Sequence, residues 1–301
     1  MTVKILYSML LKILEIKEPN AFLESPVVAL DGSVFFSDIA NNRILRFDTK
    51  DKNYSVWRSP SGRANGIQFD KDGDLIVCEG NEMGPNDGGR RITRVNIKTS
   101  DSEILTDIFE GRKYNAPNDL TIRSNGQIFF TDPCYGDRSY MELDQESVYR
   151  LDVDGRVTRL ITQLEIQRPN GIALSPDEKI LYVVDSSNAV GGNRKIWAFD
   201  LSDNGEVSNQ RLVFDFAPGR GGDGMEVARD GDLYIAAGIN KLRGSHETGD
   251  NPAGVYIITP EGKLKDRILI PEDLVTNVAF AGEDFETLYI TAGKTLYLAR
   301  I

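Results

Sequence analysis

The sequence predicts an all-β fold: a six-bladed β-propeller with four-stranded blades, preceded by a short N-terminal helix. The main observation is a segment pattern that recurs six times in the 301 residues, because repeats of this length are typical of propellers. Each copy opens with a polar residue and a short strand, and continues through a tight turn into an apolar strand. The first residues of successive copies are 41, 53, 52, 53 and 54 positions apart, and they are Glu24, Asn65, Asn118, Asn170, Asp223 and Asn277.

The internal pattern of each copy is that of β-hairpins. The segments VFFSD, LIVCE, IFFTD, LYVVD and LYIAA are apolar on both faces, as in strands that are covered by a neighbouring sheet on each side. Asp31-Gly32, Asp72-Gly73, Asn125-Gly126 and Asp230-Gly231 supply the positive φ that tight turns require. A second hairpin follows in most copies, which gives about four strands per repeat. No helix-length periodic segment follows the strands, so a βαβ fold is disfavoured.

The N-terminal segment MTVKILYSMLLKILEIKEPN has a short apolar run that Lys12 interrupts. No small-residue cleavage site follows, so we interpret residues 1–20 as an amphipathic helical extension rather than a signal peptide. The propeller is then assigned to residues 21–301. The last copy ends soon after TLYLARI, and we expect an N-terminal strand at residues 21–24 or just before them to complete it.

The composition restricts the partners. The chain has 35 Lys and Arg against 46 Asp and Glu, a net charge of −11, which argues against nucleic-acid binding and against anionic membrane surfaces. No stretch approaches the roughly 18 apolar residues of a membrane span. Cys78 and Cys134 cannot form a disulfide framework, and we expect buried thiols. The prediction is a cytoplasmic monomer or homodimer.

The polar residues that open the six copies predict a cation site. Equivalent positions of a propeller lie on a circle about the axis, so six oxygen-bearing side chains would converge at one mouth of the central channel. Carboxylates with amide carbonyls suit Ca²⁺, with Mg²⁺, Mn²⁺ or Zn²⁺ as alternatives. Zinc is the least favoured, because no Cys or His shares the ring. The competing interpretation is that Asn-Gly and Asp-Gly are only turn residues, but Glu24 is followed by Ser-Pro, and Asn118 and Asn277 lack a following Gly.

Several longer motifs resemble one known family. They are APNDL at 116–120, FFTDPCYG at 129–136, RPNGIALSPDEKILYVVDS at 168–186, GDGMEV at 222–227 and PAGVYIITPEGK at 252–263. The chain resembles the senescence marker protein/gluconolactonase/luciferin-regenerating enzyme family, and in particular its bacterial gluconolactonase-like branch. This resemblance implies a six-bladed propeller with a divalent cation in the central channel, and the hydrolysis of a sugar lactone.

The resemblance also implies site residues. Glu24, Asn170 and Asp223 are the expected metal ligands, Asn118 is a further ligand or substrate contact, and Asn277 is included in the ligand set, while Asn65 lines the channel. Asp223 or Glu24 would orient or deprotonate the attacking water.

Three further residues are functional candidates from the sequence. His246, the only histidine, is a candidate general acid or base, although a lone histidine is more often an uninvolved surface residue. Arg63 is a candidate substrate contact, the alternative being a solvated rim arginine. Tyr135 is a candidate for the wall of a substrate pocket, the alternative being packing between blades.

The predicted function is therefore a metal-dependent lactonase. Two alternatives remain open at this point. One is a phosphotriesterase-like hydrolase that uses the same metal, and the other is a non-catalytic propeller that a cation stabilises, because propellers host both enzymes and binding proteins.

Overall fold

Six four-stranded antiparallel sheets form most of the chain in the computed structural model, which describes residues 9–83, 87–243, 247–282 and 285–301. Strand β1 is Leu10–Glu15. Blade 1 contains β2 (Leu23–Val28), β3 (Val34–Asp38), β4 (Arg43–Asp48) and β5 (Asn53–Arg58). Blade 2 contains β6 (Ala64–Phe69), β7 (Leu75–Glu79), β8 (Arg91–Val95) and β9 (Ser102–Thr106).

The remaining blades follow the same order along the chain. A small hairpin of β10 (Ile108–Phe109) and β11 (Arg112–Lys113) precedes blade 3, which contains β12 (Leu120–Ile122), β13 (Ile128–Asp132), β14 (Ser147–Leu151) and β15 (Val157–Ile161). Blade 4 contains β16 (Pro169–Leu174), β17 (Ile180–Ser186), β18 (Arg194–Leu201) and β19 (Val207–Asp215). Blade 5 contains β20 (Gly222–Val227), β21 (Leu233–Ala237), β22 (Gly254–Ile258) and β23 (Leu264–Leu269). Blade 6 contains β24 (Val275–Ala281), β25 (Thr287–Ala292) and β26 (Thr295–Arg300), with β1 as its outermost strand.

The blades close into a ring. The first strands of the blades contact one another in the cyclic order β2, β6, β12, β16, β20, β24 and back to β2. A separate cluster of buried apolar side chains fills each of the six interfaces between neighbouring blades. Burial of both faces of each sheet supplies the stabilising free energy of the ring, because every blade contributes apolar area to two interfaces. The predicted six-bladed propeller is confirmed.

The predicted N-terminal helix is wrong. Residues Leu10–Glu15 form β1, which pairs antiparallel with β26, and the only helix in the described residues is a single 3₁₀ turn at Arg138–Tyr140. The pairing explains the error: an edge strand with one exposed face has spaced apolar residues that imitate a short amphipathic helix. An N-terminal strand does complete blade 6, as expected, but it lies at residues 10–15, while Leu23 and Glu24 belong to β2 of blade 1.

The predicted turns are present. Gly32, Gly73, Gly126 and Gly231 all have φ between +82° and +92°, in the left-handed region that Asp-Gly and Asn-Gly turns require. Both cysteines are free and buried, as expected. Within the described ranges, no helix has the length and apolar character needed to cross a membrane.

Candidate active site

The first strand of a blade lines the channel, and its register breaks near the start of the strand. The pairing of first and second strands skips between Glu24 and Val27, Ala64 and Ile67, Pro169 and Ile172, Gly222 and Met225, and Val275 and Asn277. In blade 3, regular pairing begins only at Leu120, immediately after Asn118 and Asp119. Bulges of this kind re-aim side chains beside functional sites. In blades 2, 4 and 5 the break leaves the ring residue and the glycine after it unpaired. In blade 1 the break begins directly after Glu24, which pairs with Ser37.

The register corrects one of the sequence equivalences. Pro169 pairs with Asp185 and Ile172 with Val183, so Asn170 and Gly171 occupy the break in blade 4. In blade 6, Val275 pairs with Ala292 and Val278 with Ile290. Thr276 and Asn277 lie between these two pairs, although here Asn277 is itself paired with Thr291. Thr276 is therefore the counterpart of Asn170, and Asn277 is the counterpart of Gly171. The sequence comparison selected the wrong member of the pair because it matched polar amides and not pairing register.

Glycine follows the ring residue in three blades because atoms of the next blade approach closely there. A Cβ on Gly171 would lie 2.4 Å from the carbonyl oxygen of Asp223, and a Cβ on Gly66 would lie 2.5 Å from that of Asn118. A Cβ on Gly224 would lie 2.0 Å from Cγ of Asn277. None of these three glycines has positive φ. The interpretation of Asn-Gly and Asp-Gly as turn residues is therefore wrong at the ring, where the glycines allow close contact between blades.

A cavity of about 370 Å³ opens at the ring. Five of the six predicted ring residues line it, together with Tyr135, Glu82 and a group of arginines; the five are Glu24, Asn65, Asn118, Asn170 and Asp223. Side chains of this set are largely shielded from solvent, with Glu24, Asn65, Asn118 and Asn170 each 5% exposed. The propeller thus brings together residues that are up to 199 positions apart in the sequence, from Glu24 to Asp223.

Hydrogen bonds connect four of the lining residues. Nδ2 of Asn170 donates to Oη of Tyr135 at 2.9 Å and to Oδ1 of Asp223 at 2.8 Å. Arg220 donates to the other carboxylate oxygen, with Nη2 3.3 Å from Oδ2 of Asp223. Neither bond from Asn170 uses its carbonyl oxygen Oδ1. The Asp223 carboxylate is consequently held in one orientation by two donors on opposite oxygens.

The carboxylates of Glu24 and Asp223 are electrostatically strained. Burial, followed by repulsion from Asp223 and Asp119, holds the pKa of Glu24 well above its usual range. Burial also raises the pKa of Asp223, although Arg220 and the hydrogen bond from Asn170 act in the opposite direction. Two acids enclosed at one end of a channel disfavour their own ionisation, and a nearby positive charge would reverse that effect.

Asn277 does not line this cavity. Its Nδ2 donates to Oγ of Ser25 at 3.1 Å and to Oδ2 of Asp119 at 3.3 Å, and it also hydrogen-bonds the Glu24 carboxylate. It faces the cavity at the opposite end of the channel, which Asp119 and Ser25 also line. Asn277 therefore supports Glu24 from the layer below the ring.

Tyr135 lies in the cavity wall, as predicted. Its hydroxyl donates to the carbonyl oxygen of Ser186 at 3.1 Å, and the guanidinium of Arg168 lies 5.0 Å from the centre of its ring. Arg168 is fixed in turn by a 2.9 Å ion pair with the buried Glu146. The Tyr135 hydroxyl is thus held between Ser186 and Asn170, while Arg168 packs against the ring.

Arg63 does not reach the cavity, and its predicted substrate role is not supported. Its guanidinium makes a bidentate pair with Asp87, at 2.6 and 3.1 Å, and donates to the carbonyl oxygens of Ile39, Ala40 and Met83. Arg63 therefore joins two rim loops. His246, the other candidate that the sequence singled out in a loop, lies outside the described residues.

Five charged cavity residues were not identified from the sequence, and two of them are the acids Glu82 and Glu247. Glu82 lies in the loop that follows β7, and burial raises its pKa to about 8. The other three are arginines from blades 4 and 5: Arg194, Arg220 and Arg243. Arginines are common on the surface, and only the closed ring shows which of them face the channel. The motif RGGDG at 220–224 was the one available signal, since it places Arg220 three residues before Asp223.

The comparisons with known proteins agree with the fold. The sequence model of the SMP-30/Gluconolactonase/LRE-like region matches residues 22–294. The chain belongs to the SMP-30/gluconolactonase/LRE-like family. It is 32% identical to the gluconolactonase of Zymomonas mobilis over 92% of this chain and 78% of the relative.

Solved structures of family members have the same architecture. The chain superposes on XC5397 of Xanthomonas campestris, described as a gluconolactonase, with a TM-score of 0.79 and 27% identity, covering 97% of this chain and 89% of the other. A luciferin-regenerating enzyme gives a TM-score of 0.74 at 20% identity over 98% and 95% of the two chains, which shows a shared fold alone. The family members named as gluconolactonases support a lactone hydrolase.

Proposed function

We propose that this protein hydrolyses a sugar lactone at a divalent cation held by Glu24, Asn118, Asn170 and Asp223. The observation that carries the proposal is the pair of enclosed carboxylates, Glu24 and Asp223, which face one cavity together with side-chain amides. The similarity to the Zymomonas mobilis gluconolactonase supports the choice of substrate class.

The donor set fits a hard cation. It contains two carboxylates and amide oxygens and no sulfur or imidazole, so Ca²⁺ is the expected ion, with Mg²⁺ or Mn²⁺ next and Zn²⁺ least favoured. Among the described residues, no group of three or more His, Cys, Asp or Glu side chains could hold a metal ion. The proposed site would therefore rely on amide oxygens, among them Oδ1 of Asn170, and on water in addition to its two carboxylates.

The cation, when bound, would act as a Lewis acid toward the lactone carbonyl oxygen. Asp223 orients the attacking water and accepts its proton, and the donors Asn170 and Arg220 fix the direction of that carboxylate. The water oxygen forms the new bond to the carbonyl carbon, the ring C–O bond breaks, and the ring oxygen takes a proton. Glu82 is a suitable donor for that proton, because with a pKa of about 8 it is mostly protonated at neutral pH. Asn118 and Tyr135 contact the substrate from the cavity wall.

The test is hydrolysis of glucono-δ-lactone by the purified protein, corrected for spontaneous opening of the lactone. We expect chelation to abolish turnover and added Ca²⁺ to restore it. Asp223→Asn should lower kcat at least about 100-fold, because it removes the base and leaves the cation a neutral ligand in place of a carboxylate. The matched control is Asp144→Asn, which changes an exposed acid and should leave kcat unchanged.

Two results would contradict the proposal. Wild-type turnover by Asp223→Asn would show that the reaction does not use this carboxylate. If the protein hydrolyses no member of a panel of lactones with Ca²⁺ present, the alternatives are a phosphotriesterase-like enzyme and a non-catalytic binding protein. A panel of phosphotriesters distinguishes these two.

A further inference from the structure

Three arginines line one side of the candidate active-site cavity. Arg194 begins β18 of blade 4, Arg220 lies in the loop before β20, and Arg243 lies in the loop after β21 of blade 5. The chain as a whole carries a net charge of −11. The same cavity is also lined by the acids Glu24, Glu82, Asp223 and Glu247. The arginines therefore form a positively charged side of a cavity of mixed charge, and guanidinium groups clustered in a cleft attract anions.

The loops that carry Arg220 and Arg243 are anchored. Nδ2 of Asn251 donates to the carbonyl oxygen of Arg220 at 3.2 Å and to that of Phe216 at 2.6 Å. The backbone N–H of Arg243 donates to the Glu247 carboxylate. These contacts fix where both side chains leave the backbone, so their approach to the cavity follows from the fold.

The ion pairs of these arginines inside the protein are long. Nη2 of Arg220 lies 3.3 Å from Asp223, and Nε of Arg243 lies 3.9 Å from Glu247, whereas strong guanidinium–carboxylate pairs measure about 2.7–2.9 Å. Burial and then repulsion from Arg220 lower the pKa of Arg243. Two guanidinium groups are thus held near each other at the cavity wall, and an anion between them would relieve their repulsion.

Arg63 shows the contrasting structural arrangement in the same chain. Its bidentate pair with Asp87, at 2.6 and 3.1 Å, is supplemented by bonds to backbone carbonyls. Arg194 and Arg220 each donate to one backbone carbonyl oxygen, of Gly192 at 3.2 Å and of Gly238 at 3.5 Å. Neither these two nor Arg243 makes a close bidentate pair in the described residues, and all three line the cavity where a substrate would lie. Arg63 therefore serves to join two loops, whereas the cavity arginines are placed to contact a ligand.

We infer that Arg194, Arg220 and Arg243 form a subsite for an oxyanion substituent of the substrate, so that the preferred lactone is one whose exocyclic C6 carries a carboxylate, sulfonate or phosphate. The inference rests on the proposed lactonase function and specifies its substrate class. The lactone carbonyl would lie at Glu24 and Asp223, and the oxyanion would lie along the arginine side of the same cavity. Guanidinium groups suit this task because their planar fork matches two oxygens of one anion.

The experiment compares kcat/KM for glucono-δ-lactone and for its 6-phosphate in wild type, Arg243→Gln and Arg194→Gln. We expect the wild type to prefer the charged lactone, and each variant to lower the ratio of the two kcat/KM values about 10- to 100-fold, as loss of a hydrogen bond to a charged group implies. The control is Arg156→Gln, which removes the same charge from an exposed turn and should leave the ratio unchanged. A wild type without preference, or variants that keep the wild-type ratio, would overturn the inference.

A binding measurement separates this inference from the proposed function. Glucose 6-phosphate and glucose share the sugar and have no lactone bond, so calorimetric titration with each reports the subsite without turnover. Suppose that the protein hydrolyses no lactone, binds glucose 6-phosphate more tightly than glucose, and loses that difference in Arg243→Gln. This result would support the subsite and contradict the lactonase proposal. A second result would overturn the substrate class. If Arg243→Gln keeps the wild-type ratio of the two kcat/KM values but is inhibited less strongly by gluconate, the arginines bind the carboxylate of the product.

Discussion

Gly171→Ala tests whether close contact between blades positions the acid that we propose as base. The added Cβ would lie 2.4 Å from the carbonyl oxygen of Asp223 and 2.9 Å from Cα of Gly224. Both atoms belong to backbone, so no flexible side chain can move aside. The first distance is about 1 Å short of ordinary van der Waals contact, which begins near 3.4 Å. Strand β20 must therefore shift by a comparable amount, and it carries Asp223.

The shift has two measurable consequences. Overpacking of this kind costs about 1–3 kcal/mol of unfolding free energy, which urea denaturation detects. A displacement of roughly 1 Å at a catalytic group lowers the rate on the order of 100-fold, which the glucono-δ-lactone assay detects as a loss of kcat. The control is Gly136→Ala, where a Cβ meets no atom within 4 Å, and both quantities should stay near wild type. Wild-type stability and kcat in Gly171→Ala would refute the reasoning.

Three further substitutions test other parts of the site and fold. Tyr135→Phe removes the hydroxyl that Asn170 and Ser186 contact, and kcat/KM should fall about 3- to 10-fold with little change in stability. Arg63→Met removes a buried guanidinium that joins two loops, so the unfolding free energy should fall by about 2–4 kcal/mol while KM stays near wild type. Glu226→Gln should stabilise the protein at pH 8 and not at pH 4.5, because burial raises the pKa of Glu226 to about 7. The pKa of Glu226 is near 4.5 in the unfolded chain and about 7 in the native state. Between these pH values the native state retains a proton that the unfolded state releases, so the stability of the wild type falls as pH rises.

Each of these predictions has a control or a contradicting result. Unchanged kinetics in Tyr135→Phe would assign that hydroxyl to structure alone. A raised KM with full stability in Arg63→Met would restore its predicted substrate role. Glu103→Gln, at an exposed acid, is the control for Glu226→Gln. If the unfolding free energies of Glu226→Gln and wild type differ by the same amount at both pH values, the pKa of the Glu226 carboxyl is not raised in the native state.

The fold was predictable because its signals are local and repeated. Asp-Gly and Asn-Gly turns, and strands apolar on both faces, recur in successive copies, and each copy strengthens the same conclusion. The N-terminal strand was not predictable in the same way, because Leu10–Glu15 is a strand through its pairing with β26 at the other end of the chain. A short edge strand has too few residues to distinguish its pattern from a helix.

The candidate site was predictable where a residue type repeats at one position, and less so elsewhere. Glu24, Asn170 and Asp223 were found because the ring repeats them, whereas Thr276 was missed because a threonine does not resemble the amides of the other blades. Arg220, Arg243 and Glu82 lie on loops, and Arg194 is the first residue of β18, directly after a loop. Their role at the cavity depends on loop paths, which the sequence pattern does not encode.

Crystals soaked in Mn²⁺ or Ca²⁺ and examined by anomalous diffraction would test the central claim most directly. We predict one ion in the cavity at the ring, within about 2.0–2.6 Å of carboxylate oxygens of Glu24 and Asp223 and of Oδ1 of Asn170. A coordination position of that ion should face the cavity, where the lactone would enter. No ion at the ring at saturating metal, or an ion bound only elsewhere, would contradict the proposal that these side chains form the catalytic cation site.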